Sequence, residues 1–112
     1  MHLEYISLVA EKRECDGSEV AFGDGGAQSL KECAEGCHML NASMFTFGTN
    51  DFGVPLCSED KCECYCETSS KAGVCNQKDH KGFRLYKFVQ KGNFQSIQVF
   101  RIYKITNYFK FY

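Results

Sequence analysis

The chain has 112 residues, eight cysteines and a formal net charge of −1, which leaves room for one small core and excludes two independently folded domains. So many cysteines in so short a chain read as a disulfide scaffold from an oxidising compartment, and the expected location is extracellular, either secreted or in the ectodomain of a surface protein. No run approaches the roughly 20 apolar residues that span a bilayer, so this segment is not expected to insert into a membrane; a nucleic-acid partner and a cofactor are not expected either.

The start, Met1-His2-Leu3-Glu4-Tyr5, lacks the basic opening and apolar run of a secretory signal, so the chain reads as a fragment or as one whose signal is missing. Tyr5-Ile6-Ser7-Leu8-Val9-Ala10 is short, apolar and β-branched and predicts an opening strand that delivers Cys15 to the domain edge. Gly23-Asp24-Gly25-Gly26 predicts a turn, without the spacing or the lysine of a phosphate-cradling loop. Ser29 precedes Leu30 and has Glu32 three residues on, the capping-box pattern, so a helix is expected to begin at Leu30. Leu30, Cys33, Ala34 and Cys37 form one apolar stripe on that helix, which points both cysteines at the core.

Met44-Phe45-Thr46-Phe47-Gly48 alternates as a strand, and Gly48 to Pro55 reads as a loop. In Cys62-Glu63-Cys64-Tyr65-Cys66-Glu67 a strand of period two places the three cysteines on one face; Glu63 and Glu67 fall on the other, read as a solvated acidic surface. Gly82 to Phe88 predicts a closing strand with Arg84, Tyr86 and Phe88 on one side. The order of strand, helix, then strands makes the fold class α+β.

Residues 89–112 form an atypical tail, with seven aromatics and neither cysteine nor acid. Phe, Tyr, Lys, Ile and Asn are encoded by AT-rich codons, so two readings stand, a non-native read-through or an extra edge strand from Ile97 to Tyr103. Charge divides the chain as well: residues 1–70 hold 4 basic and 13 acidic side chains, residues 71–112 hold 9 and 1. Either the halves attract each other within the fold, or the basic part faces an anionic partner.

The helix bearing Cys33-Ala34-Glu35-Gly36-Cys37, the aromatic strand Met44 to Gly48 and the cysteine-bearing strand after it resemble the PAN/apple domain family over residues 5–88. The resemblance implies an antiparallel sheet packed around one helix, the helical cysteines bonded to the sheet, and an outer bridge between terminal strands. Carried over by position, Cys33 and Cys37 are the helical pair, Cys15 and Cys75 the outer bridge, and Cys62, Cys64 or Cys66 the strand partners. The chain departs from the family near Ser43 and Met44, where many members carry a cysteine, so the three-cysteine strand is expected to supply the partner of Cys37. Cys57 and Cys62 flank a short loop and are expected to pair. That leaves Cys64 and Cys66 for Cys33 and Cys37 in either order, among on the order of 100 connectivities open to eight cysteines.

The function the resemblance implies is non-catalytic recognition or adhesion, with a protein or carbohydrate partner, in a module of a larger secreted or membrane-anchored protein. Lys78, His80, Lys81, Arg84 and Lys87 gather before and along the last strand, where they suit sulfate or carboxylate groups of a glycan; Arg84 is the leading candidate because its planar fork matches such oxygens. Gly48 to Gly53, around Phe52, is a second candidate contact loop. Asn41-Ala42-Ser43 is an N-glycosylation acceptor triplet in the loop after the helix. Two other classes remain in view: a cysteine-rich metal-binding module drawing on Cys62, Cys64 and Cys66 with Cys33, Cys37, His38 or His80, and a free-standing disulfide-rich effector. Against zinc, the chain has no CxxC knuckle. Against catalysis, an even set of cysteines in a disulfide setting leaves no free thiolate nucleophile.

Overall fold

A computed structural model of the chain describes residues 3–23, 28–49, 57, 61–90 and 102–104. Seven elements follow in order: β1 (Leu3–Cys15), β2 (Val20–Phe22), α1 (Leu30–Met39), β3 (Met44–Gly48), β4 (Glu63–Cys66), β5 (Gln77–Gln90) and β6 (Ile102–Lys104). The strands form one antiparallel sheet in the order β2-β4-β3-β5-β1-β6, with α1 against one face. The chain is therefore a small disulfide-rich α+β domain.

The helix begins where the capping box places it. Ser29 Oγ accepts from the Glu32 N–H at 3.0 Å and Glu32 Oε1 accepts from the Ser29 N–H at 2.9 Å, satisfying two backbone donors that the first turn cannot. These contacts also hold the Glu32 carboxyl below its usual range, chiefly through the Ser29 backbone bond. Leu30, Cys33, Ala34 and Cys37 are buried on the stripe that faces the sheet.

β3 is a central strand, buried along its whole length. Phe45 and Phe47 join Ile6, Tyr86 and the helical stripe in the larger core, and Phe45 stacks on Tyr86 at 5.1 Å. Met44 packs on the opposite face with Leu85 and Cys15. Residues 67–76 cover part of that second face: Gly73 N–H donates to Ser43 Oγ at 3.0 Å, and Ser43 and Ser70 hydroxyls lie 2.9 Å apart.

Several boundaries differ from expectation. β1 runs to Cys15 rather than ending at Ala10, because the polar stretch Glu11 to Glu14 is held by pairing with β5 and not by burial. The ladder is irregular there, with Lys12 at φ 60°, in the left-handed region. β2, Val20-Ala21-Phe22, is apolar but too short to show a strand period, its first two residues are exposed, and it is defined by its pairing with β4. β4 is shorter than expected: Cys62 lies outside it and forms an isolated bridge with Gln28. β5 extends from Gln77 to Gln90, so Val89 and Gln90 belong to the sheet and not to a tail. Ile102–Lys104 pairs with β1 at Tyr5, Ile6 and Ser7, whereas residues 97–101 lie outside the described residues. Asp24 to Gly26 and Asn50 to Pro55, including Phe52, also lie outside them.

Candidate functional site

All eight cysteines are paired, as Cys15–Cys75, Cys33–Cys64, Cys37–Cys66 and Cys57–Cys62. The order left open in the sequence is thus Cys33 with Cys64 and Cys37 with Cys66. The helical spacing of four residues sets the two sulfurs one turn apart, and the strand spacing of two residues sets their partners on one face. Cys33, Cys37 and Cys64 lie together in the core, but each sulfur is bonded to another and carries no thiolate for a metal. Helix α1 is consequently riveted to β4 at two points, and Cys15–Cys75 ties the end of β1 to the approach to β5.

The basic residues of β5 do not share one face. Arg84 stands opposite Phe47 and Glu11, on the same side as Tyr86 and Phe88. Lys87 stands opposite Met44 and Ser7, on the other side, with its aliphatic stem along Gly73. Lys78 is engaged, its Nζ 3.9 Å from Glu14 Oε2 and 3.7 Å from Asp16 Oδ1. His80 turns inward: its ring stacks on Phe83 at 3.8 Å and its Nδ1 accepts from the Gly82 N–H at 3.1 Å. Lys81 is exposed. Arg84 is half-buried, and its Nη1 is enclosed without a hydrogen-bond partner among the described residues. The basic cluster read from the sequence is thus divided between the two faces of the sheet, with Lys78 engaged in ion pairs, Arg84 partly enclosed and Lys81 exposed. Pairing between the acidic and basic halves occupies Lys78, while Arg13 and Asp79 form an ion pair of the opposite sense.

Asn41 is exposed just beyond the helix, at φ 61°, and its backbone N–H donates to the His38 carbonyl at 2.9 Å. His38 itself is half-buried, its ring 5.4 Å from that of Phe88, and burial holds its pKa below the usual histidine range.

The acidic surface expected of Glu63 and Glu67 is not formed. Glu63 is half-buried and accepts from Tyr65 Oη at 2.6 Å. Glu67 is fully buried, just past β4 and beside Met44, whose carbonyl accepts the Glu67 N–H at 3.0 Å. The side assigned by strand period was right, but that side faces the cover formed by residues 67–76 and not water. Neither Glu67 carboxylate oxygen has a well-formed hydrogen bond among the described residues, and the same holds for Thr46 Oγ1. Burial first, then the negative charge of Glu19, pushes the Glu67 carboxyl up to about 8; the Thr46 hydroxyl and the Cys15 backbone nearby only partly oppose this. Glu19 is raised too, by burial and by Glu14, against the opposing effects of a contact with the Glu67 carboxyl and of the Lys78 charge. Carboxylate oxygens of Glu14, Glu19 and Glu67 lie within 4.8 Å of one another. Glu14, Glu19 and Thr46 were not singled out in the sequence: they lie far apart in the chain, and no local spacing joins them.

Comparison with family models, with curated proteins and with solved structures finds no match to this chain.

Proposed function

We propose that the chain is a non-catalytic recognition module of the PAN/apple kind, belonging to a secreted or membrane-anchored protein, with a protein or anionic glycan as its partner. The observation supporting this reading is the covalent plan: both helical cysteines are bonded to one sheet strand, and an outer bridge joins the flanks of the two longest strands. A frame held in this way keeps its shape while edges and loops serve for contact. Arg84 and Lys81 are the residues proposed to meet sulfate or carboxylate groups. In the same reading Asn41 carries a glycan when the chain passes through a eukaryotic secretory route, and a glycosidase-sensitive mass increment lost in Asn41→Gln tests that part.

The anion site is tested with the full chain on a heparin-like column under a salt gradient, since exposed charges are screened over about 8 Å at physiological ionic strength. The Lys81→Gln/Arg84→Gln double variant should elute at markedly lower salt. A second variant, with Lys91, Arg101, Lys104 and Lys110 changed to glutamine, controls for polyanion binding by those cations. Flow-through of the parent chain at low salt, or loss of retention in the second variant alone, removes the glycan and leaves a protein partner.

A further inference from the structure

We propose that Glu14, Glu19 and Glu67, together with the Thr46 hydroxyl, form a calcium-binding site. Three separate segments bring the carboxylates together: the end of β1, the β1–β2 connection and the residue after β4. The connection is held against the segment after β4 by the Ser69 N–H and the Thr68 hydroxyl, which both donate to the Ser18 carbonyl at 3.1 Å. The juxtaposition therefore belongs to the fold and does not depend on a chance approach of surface chains.

Charge sharpens the case. Lys78 pairs with Glu14 and Asp16 and its charge also reaches Glu19, but no ion pair joins Glu67 to a cation among the described residues. Glu67 is 0% exposed, with both carboxylate oxygens lacking a well-formed hydrogen bond, and Thr46 beside it is likewise 0% exposed with an unmatched hydroxyl oxygen. Two enclosed groups thus present oxygen lone pairs beside the carboxyl groups of Glu14 and Glu19. A hard divalent cation satisfies all of them at once, because carboxylate and hydroxyl oxygens are its preferred ligands. Calcium fits such a set better than magnesium, because it accepts carboxylates in flexible, irregular geometry, whereas magnesium demands a near-ideal octahedron and keeps several of its waters. Glu19 is exposed, which leaves an entry path and room for water ligands.

The test uses the intact, disulfide-bonded chain, stripped with a chelator and titrated with calcium chloride at neutral pH while the thermal midpoint and the heat of binding are followed. A saturable midpoint rise of about 5 °C at millimolar calcium is expected. Half-saturation should fall at about 10⁻⁴–10⁻³ M, with magnesium giving a smaller response. Glu67→Gln should abolish the response, and Glu19→Gln should weaken half-saturation about tenfold. If calcium leaves the parent chain unmoved and Glu67→Gln raises the stripped midpoint, the cluster holds a proton instead and the proposal is wrong. An equal response to calcium and magnesium, or one retained in Glu67→Gln, also overturns it. Should Glu67→Gln fail to fold, exposed Glu19 decides: an undiminished calcium response in Glu19→Gln sinks the proposal.

Discussion

The Sγ of Cys37 lies 3.6 Å from the Sγ of Cys64, although each is bonded to a different partner, Cys66 and Cys33 respectively. Two bridges side by side place a sulfur of one within reach of attack on the other. Removing Cys66 should expose this. In Cys66→Ser the Cys37 thiolate attacks Cys64, forms Cys37–Cys64 and releases Cys33 as the leaving thiolate. Alkylation and peptide mapping of that variant should find the free thiol divided between Cys33 and Cys37; a free thiol at Cys37 alone contradicts the expectation.

The helix cap provides a second test. Ser29→Ala removes the acceptor for the Glu32 N–H and should lower stability by about 1 kcal/mol, whereas Ser29→Asp should largely preserve it. Urea unfolding of the disulfide-bonded variants measures the difference. Equal stability of the alanine and aspartate variants would deny the cap its role.

Two glycines are predicted to differ in their tolerance of a methyl group. A Cβ on Gly48 would come within 1.9 Å of the Gly82 carbonyl oxygen, so β3 and β5 would have to separate. On Gly36 it would meet the Phe22 ring at 2.2 Å, a half-buried side chain that can swing aside. Helical alanine also gains about 0.5–1 kcal/mol over glycine from lower backbone entropy cost. Gly48→Ala should therefore lose at least about 1–3 kcal/mol and Gly36→Ala clearly less, as thermal midpoints would report.

His38 predicts a dependence on pH. Its pKa is lowered from 6.5 in the folded chain by burial, so on acidification the unfolded chain takes up the proton first. Stability from this residue is then unaffected above pH 6.5 and falls as pH drops from 6.5 towards and through the lowered folded value. His38→Gln should flatten that part of the profile. An unchanged slope between about pH 7 and pH 5 would place the acid sensitivity elsewhere.

The local signals in this sequence were the legible ones. Ser29 and Glu32 announce α1 because a cap is written within four residues, and Cys64 and Cys66 align with Cys33 and Cys37 because strand and helix periods act over short distances. β2 was not legible, since Val20 and Ala21 are exposed and only Phe22 reaches the helix. Glu67 shows the limit of periodicity: it assigns a side of the strand, but what covers that side depends on residues 67–76 returning across the sheet. The acidic cluster combines positions 14, 19 and 67, and no pattern in the intervening chain foretells their meeting.

The position of Cys15–Cys75 determines how the domain would bear tension. Leu3 and Gln90 are register partners at one end of the β1–β5 ladder, while Cys15 pairs with Gln77 at the other. A load applied between Leu3 and Gln90 would open that ladder one rung at a time, and as β5 peels away it must also leave β3, with which it pairs from Met44–Lys87 to Gly48–Phe83. Opening stops at the bridge. Every other disulfide lies between residues 15 and 75, so once β5 has left β3 the force path runs through the Cys15–Cys75 bond. Stretching would lengthen the chain by at most ~90 Å, the reach of the residues outside the bridge, and the chain between Cys15 and Cys75 would not be drawn out until that bond itself is reduced.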